Sequence, residues 1–154
     1  MLSSNSAEEG DVEREAEERL WEIVDQAEIA LFITNTEAGY PRFRPLTLLG
    51  YEEEGLLWFA TSRSSRKVEE IARDPKVTVC FLALEGGAYA QVFGTARLVD
   101  DQALKGELWQ EEWGEYWEGP DDPDYVLIQV QIYKAEFYLI EDDELWAIEF
   151  DPLS

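Results

Sequence analysis

Two apolar runs stand back to back between residues 76 and 100, KVTVCFLAL and AYAQVFGTARLVD, with only EGG between them. Nothing else in the chain constrains its fold as strongly. A gap of turn length cannot hold a crossover helix, so the pair predicts an antiparallel hairpin. The first run is apolar on both faces, as a central strand would be. The second alternates, and Gly94 within it predicts a bulge or bend.

The remaining pattern agrees. EIALFITNT (28–36) reads as a strand followed by the turn residues EAGYP. RFRPLTLLGY (42–51) and LLWFATS (56–62) read as two strands joined by the acidic turn EEEG. YVLIQVQIYKAEFYLI (125–140) is a long run of period two, and ELWAIEF (144–150) a last short one. Helical spacing appears over residues 7–27, where Val12, Ala16, Leu20, Ile23, Val24 and Ala27 recur, and again over 64–73 and 101–118. Hairpins with inserted helices predict a mainly antiparallel sheet or barrel, not a parallel α/β fold. The 154 residues make one domain (1–154), with 1–10 expected to be a flexible N-terminus and 141–154 a C-terminal extension.

Charge narrows the partners. Thirty-five acids against 12 cations give a net charge of −23, which argues against nucleic acid and anionic membranes. The acids are spread along the whole chain and only four of the cations are Lys. Such self-repulsion is tolerable where molar salt shortens the Debye length to about 3 Å, so a salt-accumulating, halophilic cytoplasm is expected. A single cysteine, Cys80, and an acidic N-terminus without an apolar core point to a cytoplasmic location.

There is no histidine, which removes Ser-His-Asp triads, Cys-His pairs and His-ligated metals. Cys80 lies in the most apolar strand and is expected in the core, not as a nucleophile. The acidic runs DDPD (121–124) and EDDE (141–144) lack calcium-loop spacing and read as solvated surface. No side chain is an obvious reagent, so any redox or transfer chemistry has to come from a cofactor.

The cations are unevenly placed. Seven of the twelve fall between residues 42 and 76. Arg66 and Lys67 occupy the first turn of the helix expected at 64–73, where the macrodipole disfavours cations. Backbone N–H groups, serine hydroxyls and two cations together would grip a phosphate. The alternative is that Ser64 or Ser65 caps the helix while the cations pair with Glu69, Glu70 or other acids. RFRPLT carries Arg44 and Pro45 among apolar residues, which suits an edge strand or a ligand-facing rim. Trp109, Trp113, Tyr116 and Trp117 recur three or four apart, a spacing more typical of core or subunit interface than of ligand stacking.

Taken in order, GYPRFRPLTLLGYEEEGLLWFATSRSSRKVEEIARDPKVTVCF, YAQVFGTARLVDD and the Trp-rich run through GPDDPDYVLIQV resemble the pyridoxamine 5′-phosphate oxidase-like family of FMN-binding split barrels, in particular its general stress protein branch. The resemblance covers about residues 15–140. It implies a six-stranded antiparallel split β-barrel that forms a homodimer with FMN at the subunit interface. It implies that Arg44, Pro45, Leu46 and Thr47 line the isoalloxazine, and that Thr61, Ser62, Ser65, Arg66 and Lys67 hold the phosphate. Trp113 and Trp117 would close over the flavin from the neighbouring subunit. The chain departs from true pyridoxamine phosphate oxidases in having no Arg-x-His pair, so vitamin B6 oxidation is not expected. The resemblance then implies an FMN-dependent oxidoreductase working with a small-molecule electron donor or acceptor. Alternatives are a flavin-binding stress or sensor protein without turnover, and a related barrel holding a deazaflavin or haem.

Overall fold

The computed structural model describes residues 2–152. Its centre is the predicted hairpin, β5 (Lys76–Ala83) and β6 (Ala88–Val99), paired from Lys76↔Thr95 to Ala83↔Ala88. On one side β5 pairs with β1 (Ile29–Asn35), and β1 with β2 (Pro41–Pro45) at the edge. On the other side β6 pairs with β7 (Tyr125–Leu139), a 15-residue strand that serves as the spine of the sheet. The first half of β7 pairs with β4 (Leu56–Ser62), which pairs with the short β3 (Gly50–Glu52). Its second half pairs with β8 (Glu144–Glu149), so the expected C-terminal extension is a strand of the sheet. All pairings are antiparallel, and the fold is mainly β and split-barrel-like. The described residues form eight strands where the resemblance implies six: ELWAIEF is β8, as its pattern predicts, and the short β3 begins at the end of RFRPLTLLGY.

RFRPLTLLGY is not one strand. It is a single extended stretch that changes partner: Leu46 N–H continues the ladder to Ala30 on β1, and Leu49 N–H donates to Trp58 on β4. That change carries the chain from one edge of the sheet toward the other. The bulge falls where glycine predicted it, between Phe93 and Gly94. A Cβ at Gly94 would lie 2.5 Å from the Gln131 carbonyl oxygen, so only glycine permits this approach of β6 to β7.

The helix α1 spans Leu2–Gln26 and buries Ala16, Leu20, Ile23 and Val24 of the predicted stripe together with Trp21, whereas Val12 is exposed and Ala27 lies just past the helix end. Residues 2–10, expected to be flexible, form its first turns. The helix α2 (Arg66–Arg73) lies where 64–73 was expected. The single helix expected over 101–118 is broken. α3 (Gln102–Leu108) stops at Trp109, whose backbone is extended, and a 3₁₀ turn follows at Glu111–Glu115.

Phe32, Phe59, Val79, Phe81, Val92, Ile128 and Phe137 fill the core. Cys80 is not among them. It falls on the opposite face of β5, half-buried between Leu31 and Gln91 in register, and burial pushes its thiol up. An apolar strand with two apolar faces gave no hint of which face turns inward.

Candidate functional site

The cationic segment after β4 folds as a turn that enters α2. Arg63 N–H donates to the Asp124 carbonyl, and Ser64 N–H to the Asp124 carboxylate at 2.9 Å. Arg63 bonds Asp100 at 2.7 Å. The turn is thus anchored from outside by two acids. Asp122 of the run expected as solvated surface caps the same loop, accepting from Glu118 and Asp124 N–H, both at 2.9 Å. The second acidic run forms the β7–β8 turn, where Asp143 accepts from Tyr138.

The rest of the segment, up to Lys67, bonds mainly within itself and, among the described residues, forms no ion pair. Ser65 is the N-cap of α2 by position, but its side chain makes no capping bond. Its hydroxyl lies 3.3 Å from that of Thr61, which accepts from Lys67 Nζ at 2.8 Å. Arg66 is exposed and, among the described residues, neither it nor Lys67 joins an ion pair. Burial lowers the Lys67 pKa, and the charge of Arg44 adds to the effect. The helix start, two hydroxyls and two cations therefore stand together, as anion binding requires. The capping alternative fails for Ser65, and Arg66 and Lys67 do not pair with Glu69 or Glu70.

Glu70 instead receives the arginines of β2. It is 5% exposed and lies 2.5 Å from Arg42 and 3.0 Å from Arg44, with Thr34 donating to it at 2.7 Å. Burial raises its pKa, but the hydrogen bonds from Thr34 and Arg44 and the charges of Arg42 and Arg44 outweigh this and hold it below 4.5. Burial lowers the Arg44 pKa, Glu70 opposes this, and Arg42 and Arg66 lower it further. Arg44, Arg66 and Lys67 thus share one neighbourhood with a surplus of positive charge. Sequence reading missed Glu70 in this role, because nothing distinguishes one glutamate among so many acids until β1, β2 and α2 meet.

The other expected site residues are distributed differently. Ser62 accepts from the Trp117 indole N–H at 3.0 Å, within the same chain. Trp117 is buried and Trp113 half-buried in a cluster with Trp109 and Tyr125. Pro45 is exposed on the edge strand, opposite Leu31. Leu46 packs against the core, while Thr47 lines a hollow near Ala27 and Tyr51, on the side of α1. No described contact brings these three to the cations.

The comparisons with known proteins agree with this fold. The family model for pyridoxamine 5′-phosphate oxidase-like proteins matches residues 15–148. General stress protein 26 of Bacillus subtilis is 25% identical over 124 residues, covering 77% of this chain and 85% of that protein. The crystal structure of a protein from Clostridium acetobutylicum, described as related to general stress protein 26, matches at a TM-score of 0.75 and 25% identity. It covers 86% of this chain and 93% of its own. A pyridoxamine 5′-phosphate oxidase-related, FMN-binding protein from Nostoc punctiforme shares the fold at a TM-score of 0.66 and 16% identity, over 87% of this chain and 96% of its own. The chain belongs to the pyridoxamine 5′-phosphate oxidase-like family.

Proposed function

We propose that the protein is an FMN-dependent oxidoreductase, and that it works as a homodimer. The observation that carries this is the uncapped start of α2, where Thr61, Ser65, Arg66 and Lys67 converge beside Arg44 in a family that includes FMN-binding members. Those residues would hold the phosphate. Pro45, Leu46 and Thr47 would follow one edge of the ring, and Arg44, at the start of that segment, would reach from the ring edge toward the phosphate, with Ser62 at the turn. FMN, when bound, supplies the hydride and electron chemistry that a histidine-free chain lacks. The chain's own part is to bind and orient it and to limit the access of water.

The dimer reading rests on the outward face of the sheet. In a chain of 35 acids, the outward positions of β1, β5 and β6, from Ile29 to Asn35, Lys76 to Leu82 and Tyr89 to Thr95, hold no carboxylate. A hollow of about 410 Å³ opens on this face beside Ile33, Thr78, Phe93 and Tyr133. Phe43 at the sheet edge and Tyr133 are 66% and 63% exposed. A face without carboxylates, whose one charge at these positions is Lys76, suits a second copy of so acidic a protein. Trp113 and Trp117 belong to the flavin site only if the partner's copy reaches it, since in their own chain they pack on Tyr125.

The test is the purified protein. A yellow dimer whose flavin is bleached by NADH or NADPH and reoxidised by a small acceptor is expected. Colourless protein that rejects added FMN would falsify the flavin reading, and uptake of haem or a deazaflavin instead would reassign the cofactor. Flavin that no donor reduces makes it a carrier or sensor. The acidity is read as adaptation to a salt-rich cytoplasm, which requires the melting temperature to rise with KCl. Equal stability without salt removes that reading.

A further inference from the structure

Glu70 is the feature the flavin reading leaves unused. Its side chain is 6% exposed, and its carboxylate joins three elements. Oε1 accepts from Thr34 on β1 and Arg44 on β2, and Oε2 accepts from Arg42. Arg44 in turn gives Nη1 to the Thr34 hydroxyl at 2.9 Å and to the Phe32 carbonyl at 3.3 Å. Among the described residues this leaves Nε–H and one Nη2–H of Arg44 without a partner. A buried carboxylate is a poor source of stability, since apolar residues of the same volume often serve as well. It does give a guanidinium a single orientation, because the planar fork matches a carboxylate in few geometries. Lys67 lies close enough to Arg44 and Glu70 to feel the charge of both, and Arg44 in turn feels the charge of Arg66.

We propose that Glu70 is the positioning residue of the anion site, fixing Arg44 so that its free donors address the same phosphate as Arg66 and Lys67. This rests on the anion-site reading above. Two roles for Glu70 make opposite predictions. As a mere counter-charge it repels phosphate, so Glu70→Gln would tighten binding. As a positioning residue its loss weakens binding, and Glu70→Asp, which keeps the charge but withdraws it by one methylene, weakens it too.

FMN and inorganic phosphate titrated into wild type, Glu70→Gln and Glu70→Asp decide between them, with the visible circular dichroism of bound flavin read alongside. Both variants are expected to bind FMN at least about tenfold more weakly, with an altered dichroic band, the worth of one charge-assisted contact. Tighter binding by Glu70→Gln overturns the proposal, as does wild-type affinity and dichroism in Glu70→Asp. If Glu70→Gln fails to fold, the aspartate variant decides alone. If neither folds, Glu70 is a stability residue and the proposal falls. Wild-type protein that takes phosphate but not FMN removes the flavin reading and leaves Glu70 to be judged on phosphate. Protein that takes neither ends both.

Discussion

Among the described residues two charged side chains are buried, and they are buried differently. Lys105 on α3 is 1% exposed, and its ammonium meets Asp100 at 2.9 Å and lies over the Tyr125 ring at 5.3 Å. Its partner Asp100 is half in water, and Arg63 and Lys105 together are matched by Asp100 and, in the acidic loop, by Asp122. Glu70 is the reverse, an acid among cations, and its partners are themselves largely withdrawn from solvent, Arg44 to 19% exposure. The first cluster balances and ties α3 to the acidic loop. The second leaves positive charge over. A balanced cluster serves the fold, whereas an unbalanced one in so acidic a chain invites an anion.

That contrast can be broken in several ways. The double change Arg66→Ala with Lys67→Ala should cost the largest effect, roughly a thousandfold in FMN affinity for two charge-assisted contacts of about 2 kcal/mol each, with the fold intact. Affinity measured by flavin fluorescence that stays at the wild-type value would mean those cations serve the surface only. Next is Glu70→Leu, which strands two arginines and the buried Thr34 hydroxyl. About 3 kcal/mol of stability should be lost, or about 9 °C in melting temperature, and an unchanged melting curve would show the cluster to be dispensable.

Acid should reveal the same residue. Glu70 titrates below its ordinary value of 4.5 in the folded protein. The stability it contributes is therefore fully present above pH 4.5 and lost as pH falls through the lower folded value. The loss of stability on acidification below pH 4.5 should be shallower in Glu70→Gln than in wild type, and superimposable curves would remove Glu70 from the acid response. The smallest change belongs to Lys105→Met, which keeps the packing and leaves Asp100 to Arg63 and water, so the unfolding free energy from denaturant titration should fall by no more than about 1 kcal/mol. A larger loss would mean that the two clusters are alike after all.

The elements legible in the sequence were those set by local chemistry. Turn-length gaps fixed the hairpins, the absence of a side chain at Gly94 announced the bulge, and Arg and Pro marked the edge strand. The cation-bearing start of α2 was also visible, because it violates a local rule. What was not visible depends on partners far along the chain. Glu70 meets Arg42 and Arg44 across 28 and 26 residues, and Leu46–Leu49 is divided between β1 and β4 by closure of the sheet. Cys80 was misplaced because a strand apolar on both faces carries no sign of which face will be covered by its own chain. The break at Trp109 was hidden by helical spacing of the tryptophans, which the 3₁₀ turn imitates closely enough to bring three of them onto Tyr125.

The bond between Trp117 and Ser62 makes the molecule its own optical instrument. Trp117 is in ring contact range of Trp109 and Trp113, so excitation absorbed anywhere in the trio can migrate to an indole one hydrogen bond from the turn that leads into α2. Isoalloxazines absorb where indoles emit. Loading of flavin at that turn should therefore quench the intrinsic ultraviolet emission in step with occupancy, giving a label-free readout that inorganic phosphate, which absorbs nothing there, cannot mimic.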